Sequence, residues 1–319
     1  MSVAEYGRLP FIPERTLRKH FVHEPTDNRF RAAARMRQAL WRQQHGWKAG
    51  YQKSPDGARR KIGNCVETAA AREGANFISA DVAQLVRREI AFREDGALFD
   101  ERRLATNLLS SSPVVFNTFG PLKLDPKLAT RVFRRLFPGF VHTVTGILFE
   151  HAPDRGNPAY TADFTAFDLL VQCRTTSGQR GFIAIEVKFT EALTESPARL
   201  RPRYDELSAS SGCFKTPENP ILRTAPLQQF WRQEMLAAAL VQNGLYAVGR
   251  FAVVAPQFNN QVQDAIAIFR EQIADTAPVA FDAMSLESVV ETIGKAGARK
   301  IASALHDRYC DFTTITHLI

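Results

Sequence analysis

Long apolar runs are missing from this chain. No stretch reaches the roughly 18 residues that a membrane-crossing helix needs, and residues 1–10 (MSVAEYGRLP) hold no apolar core of a secretory signal. The expectation is a cytoplasmic protein with no membrane partner. Cysteine is scarce: four residues, Cys65, Cys173, Cys213 and Cys310, are scattered without a C-x-x-C pair, so neither a disulfide framework nor a zinc ribbon is expected. His20 and His23 have a ligand-like spacing, but no second pair follows at finger distance, which argues against zinc. There is no G-x-x-x-x-G-K-[ST] loop to cradle phosphates, no G-x-S-x-G elbow and no internal repeat. ATP hydrolysis, serine-hydrolase chemistry and solenoid architectures lose their support together.

What is present reads as a soluble, globular protein. The 319 residues are 45% hydrophobic and 23% charged, enough to bury a full core. The formal charge of +8 is unevenly spread: residues 1–61 hold 14 Lys or Arg against 5 Asp or Glu, leaving the remainder close to neutral. Arg29, Arg31, Arg35, Arg37 and Arg42 recur through a helix-like segment, and Arg59, Arg60 and Lys61 close it. Such a surface attracts a phosphate backbone without reading sequence, although a merely solvated helix face has the same composition. Trp41 and Trp47 suit base stacking or, more commonly, a core. The chain divides on this basis into a basic helical segment, 1–62, and a main domain, 63–319.

Periodicity outlines the elements. Residues 63–91 read as helical, split at Gly74, and a further helix over 100–109 should be stopped by Ser110-Ser-Ser-Pro113. Asp125 to Phe137 is an amphipathic helix ended by Pro138-Gly139, and Val141 to Phe149 is a strand ending at Glu150. Two more strands follow, 166–173 and 181–189. A long Ser- and Arg-rich connection, 192–224, precedes a helix over 225–243 and a strand over 245–255. The tail, 257–319, reads as helical.

Charge inside two of these strands is the most informative feature. In 181–189, Ile183, Ile185, Val187 and Phe189 share one face, while Ala184, Glu186 and Lys188 share the other. The strand before it carries Asp168. The connector, Arg174 to Gly178, is short and turn-rich, and a hairpin turning symmetrically about Ser177 sets Asp168 directly across from Glu186. Two carboxylates that close repel unless a divalent cation lies between them. Hard oxygen donors select Mg²⁺ or Mn²⁺. Lys188, on the same face, would orient a water or steady developing negative charge. Glu150, at the mouth of the preceding strand, is a candidate third acid, whereas Pro153-Asp154 lies in a Pro/Gly turn and reads as a loop.

Asp168 followed by Glu186-Val187-Lys188 resembles the signature of the PD-(D/E)XK nuclease superfamily, with Phe167 in place of the name-giving proline. The segments Asn107 to Pro113, Phe116 to Gly120, Thr165 to Asp168 and Ile185 to Glu191 are similar to a restriction-endonuclease group within it. The resemblance implies a restriction-endonuclease-like α/β core of order αβββαβ over about 125–255, a mixed central sheet flanked by helices, with extra N- and C-terminal helices. It implies a Mg²⁺-dependent DNA endonuclease of restriction or defence type, with Asp168, Glu186 and Lys188 catalytic and Asp168, Glu186 and Glu150 on the metal. A homodimer and a methyltransferase partner belong to the same expectation. The alternatives are a nucleic-acid-binding protein that keeps the fold without catalysis and a repair or recombination nuclease. In the superfamily an upstream helix often adds an acid, here Glu67 or Glu101, for which a surface ion pair is the simpler role. A following helix can present polar side chains to the site, here Gln229 and Arg232.

Overall fold

The computed structural model describes residues 9–53, 57–97, 99–194 and 196–316. Its frame is a five-stranded sheet of order β3-β4-β5-β6-β7, formed by Val141–His151, Phe167–Thr175, Arg180–Val187, Val248–Ala255 and Val279–Ser285. β3, β4 and β5 are antiparallel neighbours, and β5, β6 and β7 run parallel. A separate antiparallel pair, β1 (Ala49–Lys53) and β2 (Arg59–Val66), stands apart from this sheet. The mixed central sheet flanked by helices is the α/β architecture expected from the sequence.

Both faces of the sheet are covered, which is why β5 tolerates no exposed position after Arg180. The Ile183, Ile185 and Val187 face packs with Phe116 and Phe119 of the helix Ser111–Leu124, Val132 and Phe133 of Pro126–Leu136, and Val289 and Val290 of Leu286–Lys295. The opposite face, carrying Phe182 and Ala184, packs on Phe230 and Trp231 of the helix Gln228–Gln242, with Phe269 of Asn260–Gln272 and Tyr204 of Pro202–Ser211. The alternation read from the sequence is thus a division between two cores. Glu186 and Lys188 continue the second face at the carboxyl end of β5. They meet the helix Gln228–Gln242 there.

Four local expectations are corrected. Ser110-Ser-Ser-Pro113 does not stop a helix but begins one, Ser111–Leu124, because proline in a first turn removes only an N–H that has no intrahelical partner. That helix is buried from Pro113 through Leu122, so it lacks the polar face that would have marked it. Residues 63–91 are not all helical: β2 extends to Val66, and the helices are Thr68–Arg72 and Ala80–Ala91, the second capped by the Ser79 hydroxyl accepting from the Val82 N–H at 3.2 Å. The same hairpin means that residues 1–62 are not wholly helical. The tail contributes an edge strand, β7, whose Asp282 pairs with Arg250 of β6 at 2.9 Å; this charge and the strand's partial exposure hid it from an apolar-run criterion.

Candidate active site

The β4–β5 register places the two acids. Leu169 faces Ile185 and Arg174 faces Arg180, so the same register brings Asp168 opposite Glu186, as the turn about Ser177 predicts. The β3–β4 register pairs Phe149 with Leu169 and His151 with Phe167, which sets Glu150 opposite Asp168. Glu150, Asp168 and Glu186 therefore form a row across three adjacent strands. Asp168 feels the charges of both neighbours, and Glu186 meets the helix Gln228–Gln242 through Gln229 and Gln233. The row begins on an edge strand, where Glu150 takes a left-handed φ of 48°, a conformation that costs a non-glycine residue energy.

Around this row the polar contacts are dense. Asp168 Oδ2 accepts the Val187 backbone N–H at 2.8 Å. The Lys188 ammonium lies 2.6 Å from Glu186 Oε1 and donates to Gln229 Oε1 at 2.7 Å. Gln229 Nε2 in turn donates to Glu186 Oε1 at 2.8 Å. Gln233, one turn further along the helix, donates from Nε2 to Glu186 Oε2 and to the Ala166 carbonyl. Glu186 and Lys188 are 4% and 7% exposed, so these contacts are made largely out of water. Glu191 accepts the N–H groups of Phe189 at 2.6 Å and Ser111 at 3.3 Å, and the Thr190 hydroxyl donates to the Leu109 carbonyl at 3.0 Å. Two of the four sequence segments that carry the resemblance, 107–113 and 185–191, are thereby joined in space.

The electrostatics follow from crowding. Burial, then the Glu186 and Glu150 carboxylates, push Asp168 well above the usual range of an aspartate. Burial, then Glu186, raise Glu150 to about 7. For Lys188 burial opposes the charged form, but Glu186, Glu191 and Asp168 outweigh it and hold the ammonium above its ordinary value. Of the nearby cations, Arg155 lowers Glu150 and Lys188 lowers Asp168, and neither offsets burial and the crowding of the acids. As the side chains stand, no three His, Cys, Asp or Glu among the described residues converge closely enough to hold a metal ion. The row nonetheless fits a hard divalent cation, since such an ion commonly takes one or two carboxylates and keeps water for its other positions.

The other candidates fall elsewhere. Arg232 turns away from Glu186: its guanidinium bonds Thr165 Oγ1 at 2.7 Å and Asp163 Oδ2 at 3.1 Å. Asp163, which no spacing singled out, also accepts from Thr161, Thr165 and Tyr204, and although burial opposes its charge these hydrogen bonds hold it below the usual range. Its cluster fixes the loop leading into β4 against two helices. Glu101 makes an exposed ion pair with Arg93 at 3.1 Å, and Glu67 precedes Thr68–Arg72, its carbonyl accepting the Ala71 N–H at 3.0 Å. Neither reaches the row. The upstream acid that does approach is Glu94, which bonds His151, the Ala152 N–H at 3.2 Å and Arg155 at 2.7 Å at the end of β3. Asp154 lies in a turn, as read. A pocket of about 130 Å³ opens between Lys188, Gln229, Glu191, Pro226 and Arg232, giving the ammonium an approach from outside. Gln233 was missed because the helix reads as an amphipathic surface; its i, i+4 spacing from Gln229 was the available signal.

Comparison with protein families matches residues 25–311 to a family described as PD-(D/E)XK nuclease superfamily. No curated protein and no solved structure matches the chain.

Proposed function

The chain belongs to the PD-(D/E)XK nuclease superfamily, and from that premise we propose that it is a divalent-metal-dependent DNA endonuclease whose reaction centre is the Glu150–Asp168–Glu186 row with Lys188. The observation that carries the reading is the register itself: three acids abreast on three adjacent strands, with an ammonium 2.6 Å from the last. Asp168 and Glu186, with Glu150 beside them, would hold Mg²⁺ or Mn²⁺, which when bound supplies Lewis-acid polarisation of a phosphate and a more acidic water. Lys188 keeps a fixed positive charge beside the position where phosphoryl oxygens would gain negative charge, and exclusion of bulk water strengthens that interaction. Gln229 holds both Lys188 and Glu186 and so sets their spacing. A restriction or defence setting, a methyltransferase partner and a homodimer rest on the sequence resemblance, and cleavage that depends on DNA methylation would support the first two.

One observation favours a second reading, a nucleic-acid-binding protein without catalysis: both oxygens of Glu186 are already engaged, by Lys188, Gln229 and Gln233. Plasmid cleavage with Mg²⁺ against a chelator control separates the two. Under the catalytic reading Asp168→Asn weakens metal binding and cleavage together, with partial recovery at high metal. Lys188→Ala leaves metal affinity equal or better, because a repulsion is lost, while cleavage falls on the order of 100-fold. Metal binding read by calorimetry, and a thermal melt of the same samples, complete the comparison; normal cleavage by folded Lys188→Ala would end the assignment.

A further inference from the structure

A second cavity, of about 550 Å³, opens beside the strand end that carries Lys188. One wall is the β1–β2 hairpin with Tyr51 and Arg60, another the helix Glu101–Thr106 with Arg102 and Arg103, and the floor includes Thr190, two residues beyond Lys188. Two residues of extended chain span at most about 7 Å, so cavity and carboxylate row are neighbours.

The charge in this cavity is not internally balanced. Arg35 is spent on Asp27 at 2.6 Å and Arg31 approaches the same carboxylate at 3.4 Å. Arg60 donates to the His23 carbonyl at 2.8 Å and lies 3.9 Å from Glu24. Among the described residues, the Arg102 and Arg103 side chains have neither an ion pair nor a hydrogen bond, and both are exposed. Of the two acids next to them in sequence, Glu101 is paired with Arg93 at 3.1 Å and Asp100 is used as the helix cap, its carboxylate accepting the Arg103 backbone N–H at 2.9 Å. Aromatic faces lie beside the cations: Tyr51 is 48% exposed with Arg59 at 4.8 Å over its ring, and Phe21 is 44% exposed with Lys61 at 4.5 Å. Unpaired guanidinium groups next to exposed rings and an exposed amide side chain, here Gln52, recognise phosphate, base face and base edge respectively. The volume belongs to the class that encloses small molecules, roughly 300–1,000 Å³, and does not admit the width of a duplex.

We propose that this cavity receives a single unpaired nucleotide of a DNA strand, its phosphate on Arg102 and Arg103 and its base against Tyr51, so that the protein prefers substrates with a single-stranded or frayed segment next to the scissile bond. The proposal rests on the nuclease reading only for the word substrate. Its test is binding, measured by fluorescence anisotropy in chelator, where no cleavage occurs. The probes are a labelled single-stranded oligodeoxynucleotide, a blunt duplex and a duplex with an overhang. Wild type should bind the single strand and the overhang more tightly than the blunt duplex. Arg102→Glu with Arg103→Glu should lose at least 10-fold in single-strand affinity at low salt with a flatter salt dependence. Tyr51→Ala should lose several-fold on the single strand and little on the blunt duplex. Equal losses on all three probes would make these arginines part of a general phosphate-attracting surface and overturn the proposal, as would unchanged single-strand affinity in the folded double variant. A wild-type protein that shows the single-strand preference yet never cleaves with Mg²⁺ would sink the nuclease reading and leave the cavity assignment standing.

Discussion

Glu150 shows at the level of one residue how conformation and charge are traded. A left-handed φ of 48° and a place beside Asp168 are both unfavourable for glutamate. Glycine inside a strand normally costs about 1 kcal/mol, but at this φ it removes strain and one of three crowded carboxylates. Glu150→Gly is therefore expected to leave the melting temperature unchanged or raised while lowering metal-dependent cleavage; a clear loss of stability would mean that the side chain is structural. Glu234 offers a pH test away from the row. It is fully buried in the helix Gln228–Gln242, and burial, to which the Asp282 charge adds and which the Cys213 thiol partly offsets, lifts it to about 8 from the ordinary 4.5. Between those values the folded protein keeps a proton that the unfolded chain has released, so stability is full below the lower value and falls as pH rises towards the upper one. The slope approaches about 1.4 kcal/mol per pH unit. Asp168 and Glu150 contribute with the same sign. Glu234→Gln should flatten this decline, read as urea midpoints at pH 5 and pH 8, without removing it.

Among the elements, the β4–β5 hairpin matters most, because a slip of one residue would turn Asp168 away from Glu186 and exchange the two cores. Its turn is held by Gly178 at φ 81° and by the Gly178 N–H donating to the Thr175 carbonyl at 2.9 Å. A Cβ at Gly178 would meet no atom within 4 Å, so the only penalty for alanine is backbone strain. Gly178→Ala should cost about 1 kcal/mol and leave cleavage unchanged; a larger cleavage defect than stability defect would show that register, and not strain alone, had moved. The helix Gln228–Gln242 acts on the same site from the opposite side, through Gln229 and Gln233. Its polar positions look like a solvated face in one dimension. They are a lid over Glu186 and Lys188 in three.

At the scale of the whole molecule, the basic N-terminal part is also core. Phe30, Ala33, Met36 and Ala39 of the helix Arg29–Gln44 belong to the same buried cluster as Ile183, Ile185 and Val187. Fully buried Arg308 joins that helix to the carboxyl-terminal region, donating to Gln38 Oε1 at 3.3 Å and to the Asn76 carbonyl at 2.8 Å, with its guanidinium 3.9 Å from the Trp41 ring centroid. Removing residues 1–61 is therefore expected to abolish cooperative unfolding instead of simply weakening DNA binding, as circular dichroism during a thermal melt would show. A truncation that melts cooperatively would restore the picture of a detachable basic arm. Among the described residues, no helix is long and apolar enough to cross a bilayer.

The sequence by itself determined the sheet's inner strands and the partnership of Asp168 and Glu186, because a two-residue period and a short turn are local quantities that survive without knowledge of the rest of the chain. It determined also that Lys188 shares their face. The helix Ser111–Leu124 and the edge strand β7 lay beyond it, since one has no polar side to set a period and the other has charge where a strand is usually apolar. Only the tertiary structure decided that Glu150 completes the row, that Gln229 and Gln233 close over it while Arg232 serves Asp163, and that Glu94 approaches in place of Glu67 or Glu101. Each of those outcomes depends on which face of one element meets which end of another, and that pairing is set by packing across residues far apart in the chain.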